Sequence, residues 1–197
     1  MYAKSTVTIA NILEAAESCF VAKNYNDVTM AEIAAQAEVT KGALYHHFAS
    51  KEELYLTMMH RYLEEIEALV VETAVHLQAP IRDRLWQLTV AFLSLSERKQ
   101  SLMRLVRRDI NKFQDPVRQE LVRAYQKALP EKAERIIREG ICGGEIEAQD
   151  ARLLAWEYVA IVEVVLSAYA RQVLGEAGTT ADFVNKLFFD GISVKGE

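Results

Sequence analysis

From Val7 to Val21 apolar residues return at helical spacing, at Ile9, Ile12, Leu13, Ala16 and Phe20, and the run stops near Lys23-Asn24. This predicts a first helix. Thr29, with Glu32 three residues on, reads as a capping box that opens a short second helix, MAEIAAQAE. Val39-Thr40 form a tight break before another short helix, KGALYHHF. Ser50 with Glu53 repeats the box and starts a long segment from Lys51 to about Leu77, free of proline and glycine. Pro80 suits the first turn of a helix carrying Leu85, Leu88, Phe92 and Leu95, and Ser101 starts the next. Asp115-Pro116 caps a further helix, which Pro130 should kink or divide and Gly140, Gly143 and Gly144 should close. Two more run from about Gln149 to Leu174 and from about Thr180 to Phe189. The reading is all-α, about nine helices, without internal repeats. A small three-helix unit, residues 1–48, continues through the fourth helix into a larger domain, 49–197.

Composition changes little in this picture. Of 197 residues 51% are hydrophobic and 26% charged, with 8 Gly and 3 Pro, which suits a helical globular chain. Cys19 and Cys142 lie in no ligand-spaced motif, so a reduced, cytoplasmic setting is expected. No basic segment followed by an apolar run marks a signal peptide. The most apolar stretch, from Leu153, is short and interrupted by Glu157 and Glu163, so no membrane partner is expected. The net charge of −5 offers no general attraction for nucleic acid. Up to Arg61 the positive residues are Lys4, Lys23, Lys41, Lys51 and Arg61, against seven Asp/Glu. Any nucleic-acid reading rests on where those few cations sit.

The stretch VTKGALYHHFASKEEL, Val39 to Leu54, carries the candidate chemistry. Adjacent histidines project about 100° apart on a helix and cannot readily share one ion. No HExxH spacing, nucleophile motif or spaced acid pair accompanies them, so no metal, cofactor or catalytic residue is expected. Simple packing of both rings is the plainer alternative, but Tyr45, His46, His47 and Phe48 cannot all face one core. Two short helices across a tight turn match a helix-turn-helix, whose second helix enters the DNA major groove. Ile33, Ala34, Ala37, Val39, Leu44 and Phe48 would pack the pair. Thr40, Lys41, Tyr45 and His46 would face outward, and the small Gly42 and Ala43 permit close approach. Thr29 and Lys51 stand where helix N-termini favour phosphate.

The pattern TMAEIAAQAEVTKGALYHHFASKEEL resembles the N-terminal DNA-binding domain of the tetracycline-repressor (TetR) family of transcriptional regulators. The likeness extends loosely to ILEAAESCF upstream and to a terminal segment, FFDGI. It implies that Lys41, Gly42, Tyr45 and His46 face bases or phosphates, while Thr29, Thr40, His47 and Lys51 hold the DNA backbone. It also implies a C-terminal domain that dimerises and encloses a small molecule. The chain departs from the family ahead of its first helix, where YAKSTVTIAN offers Lys4 alone. A shallow salt dependence follows, since each neutralised phosphate adds about 0.9 to the slope.

In the larger domain the segment from Leu153 to Leu166 is apolar on nearly all sides, more than burial of one face needs. Together with Phe183, Val184, Leu187 and Phe188 it could form a four-helix interface with a second copy, through Val162, Leu166, Phe183 and Leu187. In SLMRLVRRDINKF the apolar stripe is Leu102, Met103, Val106, Ile110 and Phe113. Arg104 and Arg108 lie opposite it and Arg107 at its flank. From Arg98 to Arg138 twelve Lys/Arg face five Asp/Glu. An anionic effector, such as a fatty acyl or aromatic carboxylate held by Arg107, is one reading; a solvated basic face is the other. Trp86, Phe92, Met103, Val106, Phe113, Tyr125 and Trp156 are the candidate lining, or plain core. The expectation is a homodimeric, ligand-responsive repressor released from a palindromic operator by a small hydrophobic or anionic effector. Its rivals are a small helical enzyme, for which no acid/base constellation exists, and an effector-independent architectural protein with the same reading head.

Overall fold

A computed structural model describes residues 2–190, with side chains for 7–190. Gly191 and Ile192 of the FFDGI segment, and the side chain of Lys4, lie outside the described residues. All regular elements among the described residues are helical. In order they are α1 (Tyr2–Ala22), α2 (Met30–Gln36), α3 (Lys41–His47), α4 (Lys51–Val70), α5 (Ile81–Leu93), α6 (Glu97–Asp109), α7 (Val117–Ala128), α8 (Pro130–Cys142), α9 (Ala151–Val165), α10 (Ala168–Leu174) and α11 (Ala177–Asp190). A 3-10 turn covers Tyr25–Asp27, another Ile110–Lys112, and a π-helical turn extends α4 over Val71–Val75. The chain divides into two compact units, Met1–Tyr62 with Glu97–Val122, and Leu63–Ser96 with Arg123–Glu197.

In the first unit the caps sit where the residue types demand them. Thr29 Oγ1 accepts from Glu32 N and Thr40 Oγ1 from Ala43 N, each filling one of the donors a helix start leaves unmet. Ser50 accepts from Glu53 N, and the Glu53 carboxylate reaches back to Ala49 N. α1 packs on α2 and α6, and α2 on α3. Ile12, Ala16, Phe20, Ile33 and Leu44 are fully buried at these contacts, and Ala37 and Phe48 nearly so. Each large side chain contributes about 1.5–3 kcal/mol by leaving water. Phe20, Tyr25, Tyr55 and Phe113 close into an aromatic cluster with ring centroids 4.8–5.8 Å apart.

In the second unit α5 packs on α8 and α11, and α9 on α8 and α11. Gly140, expected to help close its helix, lies inside α8. A Cβ there would stand 2.7 Å from Ile81 Cδ1, so its role is the close approach of α5 and α8. The buried Arg84 donates to Ala74 O (2.8 Å), Val75 O (3.2 Å) and the Glu139 carboxylate (2.7 Å). It thereby caps the π-helical turn and keeps its own charge paired. Tyr158 is buried with its hydroxyl between Leu85 O and Thr89 Oγ1, and desolvation pushes its pKa well up.

Pro130 divides its helix, one of the two outcomes expected of it, standing in the first turn of α8 after a break at Leu129. Two boundaries differ from expectation. α6 starts at Glu97, ahead of Ser101. The single helix expected from Gln149 to Leu174 is two, α9 and α10, bent by 80°. Ser167 takes an extended backbone and its hydroxyl accepts from Ala170 N, so it acts as a cap inside an apolar run. Among the described residues no single helix is long and apolar enough to cross a membrane.

Candidate nucleic-acid interface

The buried positions of α3 fix what it can present. Leu44 and Phe48 face inward, so Lys41, Gly42, Tyr45 and His46 are carried outside, with Tyr45 44% exposed. The Lys41 ammonium lies 5.8 Å from the centroid of the Tyr45 ring, which orients both groups on one surface. His46 and His47 meet edge to face at 5.3 Å, and His47 is half-buried. Gly42 is informative because the fold does not require it. A Cβ would meet Thr40 Oγ1 at an ordinary 4.0 Å, and φ is not in the left-handed region. The benefit of a bare backbone there lies toward whatever approaches α3 from outside.

The turn between the two short helices contains Glu38 in a left-handed conformation, φ 55°. For a residue with a Cβ this costs roughly 1–2 kcal/mol. Val39 N donates to Ala34 O and closes the turn. The break therefore begins at Glu38, ahead of Val39-Thr40.

Thr29 and Thr40 are exposed at the starts of α2 and α3, with their hydroxyls already accepting from their own helices. Lys51 is placed differently. Its ammonium donates to Tyr25 O (2.8 Å), Asn26 O (3.4 Å) and Val28 O (2.8 Å), and stands 4.5 Å from the Tyr25 ring centroid. Burial holds the Lys51 pKa below the usual lysine range, and burial likewise pushes the Tyr25 phenol up to about 12. Cys19 of α1 donates from Sγ to Gln36 Oε1 of α2 at 3.0 Å, its pKa raised by burial.

Sequence reasoning passed over a second cluster beside it. Asp109 is fully buried and accepts from Arg108 Nε (3.0 Å) and Nη2 (2.8 Å), with the Tyr55 hydroxyl at 3.5 Å. Arg108 Nη2 also donates to Phe20 O (2.9 Å) and Lys23 O (3.0 Å) at the end of α1. The available clue was Asp109 itself, which continues the stripe of Leu102, Leu105 and Val106 at helical spacing. An acid in an apolar stripe needs a buried partner.

The other expected residues fall in separate units. Met103, Val106 and Phe113 are buried in the first and Arg107 is exposed there; Phe113 is part of the aromatic cluster. Trp86, Phe92, Tyr125 and Trp156 belong to the second. Phe92 is core, and Trp86 Nε1 donates to Asp182 at 2.8 Å. The Tyr125 hydroxyl donates to Glu163 at 2.6 Å and its ring lies 6.0 Å from Trp156, which borders a cleft of about 160 Å³ with Gln126, Glu131 and Arg152. Val162 and Leu166 are both 0% exposed, because they continue the inward face of Tyr158 and Val159. They lie in the unit's own core instead of facing a partner. The large apolar side chains that α9 does expose are Leu153 and Val164, at 60% and 67%, and α11 exposes Phe183 and Leu187, at 45% and 55%. Among the described residues no three His, Cys, Asp or Glu side chains are grouped to hold a metal.

Comparison with known proteins bears on the family and the fold. Residues 12–58 match the family of bacterial regulatory proteins, tetR family. The HTH-type transcriptional activator FasR of Mycolicibacterium smegmatis is 32% identical over 151 residues, 76% of this chain and 66% of FasR. The chain thus spans just under two thirds of that relative. Among solved structures, a regulatory protein in the tetR family from Rhodococcus RHA1 shares the fold, with a TM-score of 0.82 over 96% of this chain and 98% of that one, at 19% identity. The Bacillus subtilis regulator FadR, in complex with stearoyl-CoA, does so with a TM-score of 0.75 over 93% and 98%, at 21% identity.

Proposed function

Because the chain belongs to the TetR family of transcriptional regulators, we propose that it is a homodimeric DNA-binding repressor that leaves its operator on binding a small effector. One observation carries the reading: α3 buries Leu44 and Phe48 and turns Lys41, Gly42, Tyr45 and His46 outward, behind a helix start capped by Thr40. Each copy lays this helix in a major groove, so the operator is roughly palindromic with half-sites about one helical turn apart. Phosphate contacts set the register, and the side chains of α3 read base edges.

The dimer is proposed to form through the outward faces of α9 and α11, at Leu153, Val164, Phe183 and Leu187. Exposed large apolar side chains on two packed helices support this, since such groups favour a partner surface. The effector is proposed to be an apolar molecule with an anionic end. The stearoyl-CoA held by the Bacillus subtilis neighbour supports it. A coupling of about 1–3 kcal/mol between effector and DNA is enough to empty a site held with modest margin.

The test selects operator sites from random DNA, then titrates acyl-CoA into the complex. Tyr45→Ala abolishes specific binding on this reading, Lys41→Ala weakens it by one phosphate contact per subunit, and the acyl-CoA weakens it. Specific binding that no ligand alters would favour the architectural reading. Tighter binding with ligand would reverse the sign of the regulation.

A further inference from the structure

Five backbone carbonyls between residues 20 and 28, at the end of α1 and in the turn before α2, are taken up by two cations. Lys51, from the first turn of α4, takes Tyr25 O, Asn26 O and Val28 O. Arg108, near the end of α6, takes Phe20 O and Lys23 O. An ammonium has three N–H donors, and those of Lys51 meet three carbonyls while the Tyr25 ring covers its flank. Giving one to a phosphate would strip a part-buried carbonyl of its partner. Arg108 is committed as well, through both carboxylate oxygens of the fully buried Asp109. The end of a helix is its negative pole, which suits cations directed at the protein's own backbone.

We propose that Lys51 and Arg108 are positioning residues of the reading head, clamping residues 20–28 from two sides so that Thr29 and α2 start in a fixed place, and that neither touches nucleic acid. The consequence for α3 is direct, because α2 packs on it. This assignment rests on the DNA-binding reading above. It separates Lys51 from Lys41, whose ammonium lies over the outward ring of Tyr45 and is left to meet phosphate.

Phosphate contact and positioning leave different marks. Loss of one phosphate contact lowers the slope of log affinity against log salt by about 0.9 per subunit, whereas loss of positioning lowers affinity at every salt with the slope kept. The experiment measures operator binding from 50 to about 300 mM salt for wild type, Lys41→Met, Lys51→Met, Arg108→Met and Arg108→Lys. Lys51→Met and Arg108→Met should each lose about tenfold or more in affinity, comparable to one base contact, with an unchanged slope. Arg108→Lys should not rescue, since it keeps the charge and loses the planar fork. Lys41→Met should reduce the slope. A reduced slope in Lys51→Met, or rescue by Arg108→Lys, would overturn the assignment.

Hydrogen exchange on the free proteins gives a readout independent of DNA. Amides of residues 25–33 should exchange faster in Lys51→Met and Arg108→Met than in wild type, while those of α11 stay protected. Unchanged exchange at 25–33 would defeat the clamp even if the affinities fell. Failure of wild type to bind any selected site would instead defeat the DNA reading, and the exchange data would still decide the clamp.

Discussion

Thr40 in the first unit and Ser167 in the second have nearly the same backbone, φ −70°, ψ 151° and φ −71°, ψ 154°. Each hydroxyl accepts from the amide three residues on, at 3.1 and 3.2 Å. Sequence shows one of these caps and hides the other. Around Thr40 the neighbours change character, with Glu38 before it and Lys41-Gly42 after it. Around Ser167 the apolar phase of Val162, Val165, Leu166, Tyr169 and Ala170 runs on without a gap. Cap chemistry is local; the choice between a cap and a mid-helix serine is made by packing elsewhere in the unit.

The largest effects should come from the inward faces of both regions. Leu44→Ala and Leu166→Ala each empty a fully buried site and should cost about 2–5 kcal/mol in urea unfolding. Tyr45→Ala, one position along α3, should change stability by under about 0.5 kcal/mol while removing specific DNA binding. A large stability loss in Tyr45→Ala would mean that α3 packs by a different face.

Backbone geometry sharpens the contrast next. Glu38 and Gly175 both have positive φ, 55° and 76°. Glu38→Gly should stabilise by up to about 1 kcal/mol, whereas Gly175→Ala, at ψ −119°, should cost about 1–3 kcal/mol. Thermal melts of the pair, moving in opposite directions, check this. Removing the caps comes third. Thr40→Ala and Ser167→Ala should each cost about 1 kcal/mol, and Thr40→Ala alone should weaken DNA binding.

The smallest effect is in acid. Glu139 has its pKa lowered, first by the hydrogen bond from Arg84. A carboxylate depressed in the folded state contributes stability above its unfolded pKa of about 4.3, lost as pH falls through the lower folded value. Glu32 is lowered too, by Lys23, but that pair lies on the surface. Melts from neutral pH down through this window should therefore flatten more in Glu139→Gln than in Glu32→Gln. Equal flattening would place the two pairs on the same footing.

Much of the reading head is legible because its determinants are short-range: Thr29 with Glu32, Thr40 with Ala43, Ser50 with Glu53, and the inward set of Ile33, Leu44 and Phe48. What escaped notice depends on residues far apart in the chain. Lys51 reads as a phosphate ligand in sequence, where the carbonyls of residues 25–28 that accept from its ammonium are not visible. Gly140 looks like a helix stop until Ile81 arrives against it, and Val162 and Leu166 look like interface residues until α9 turns them inward. Asp109 was the one long-range element that left a local trace.

Gly42→Ala tests the central claim most directly, since the fold leaves room for the added methyl group. Alanine is the better helix former by about 1 kcal/mol, so stability should hold or rise. If α3 lies against DNA, affinity for the selected operator should nevertheless fall about tenfold or more, the discrimination of a base contact. A stable Gly42→Ala protein that binds its operator as tightly as wild type would contradict the placement of α3 in the groove.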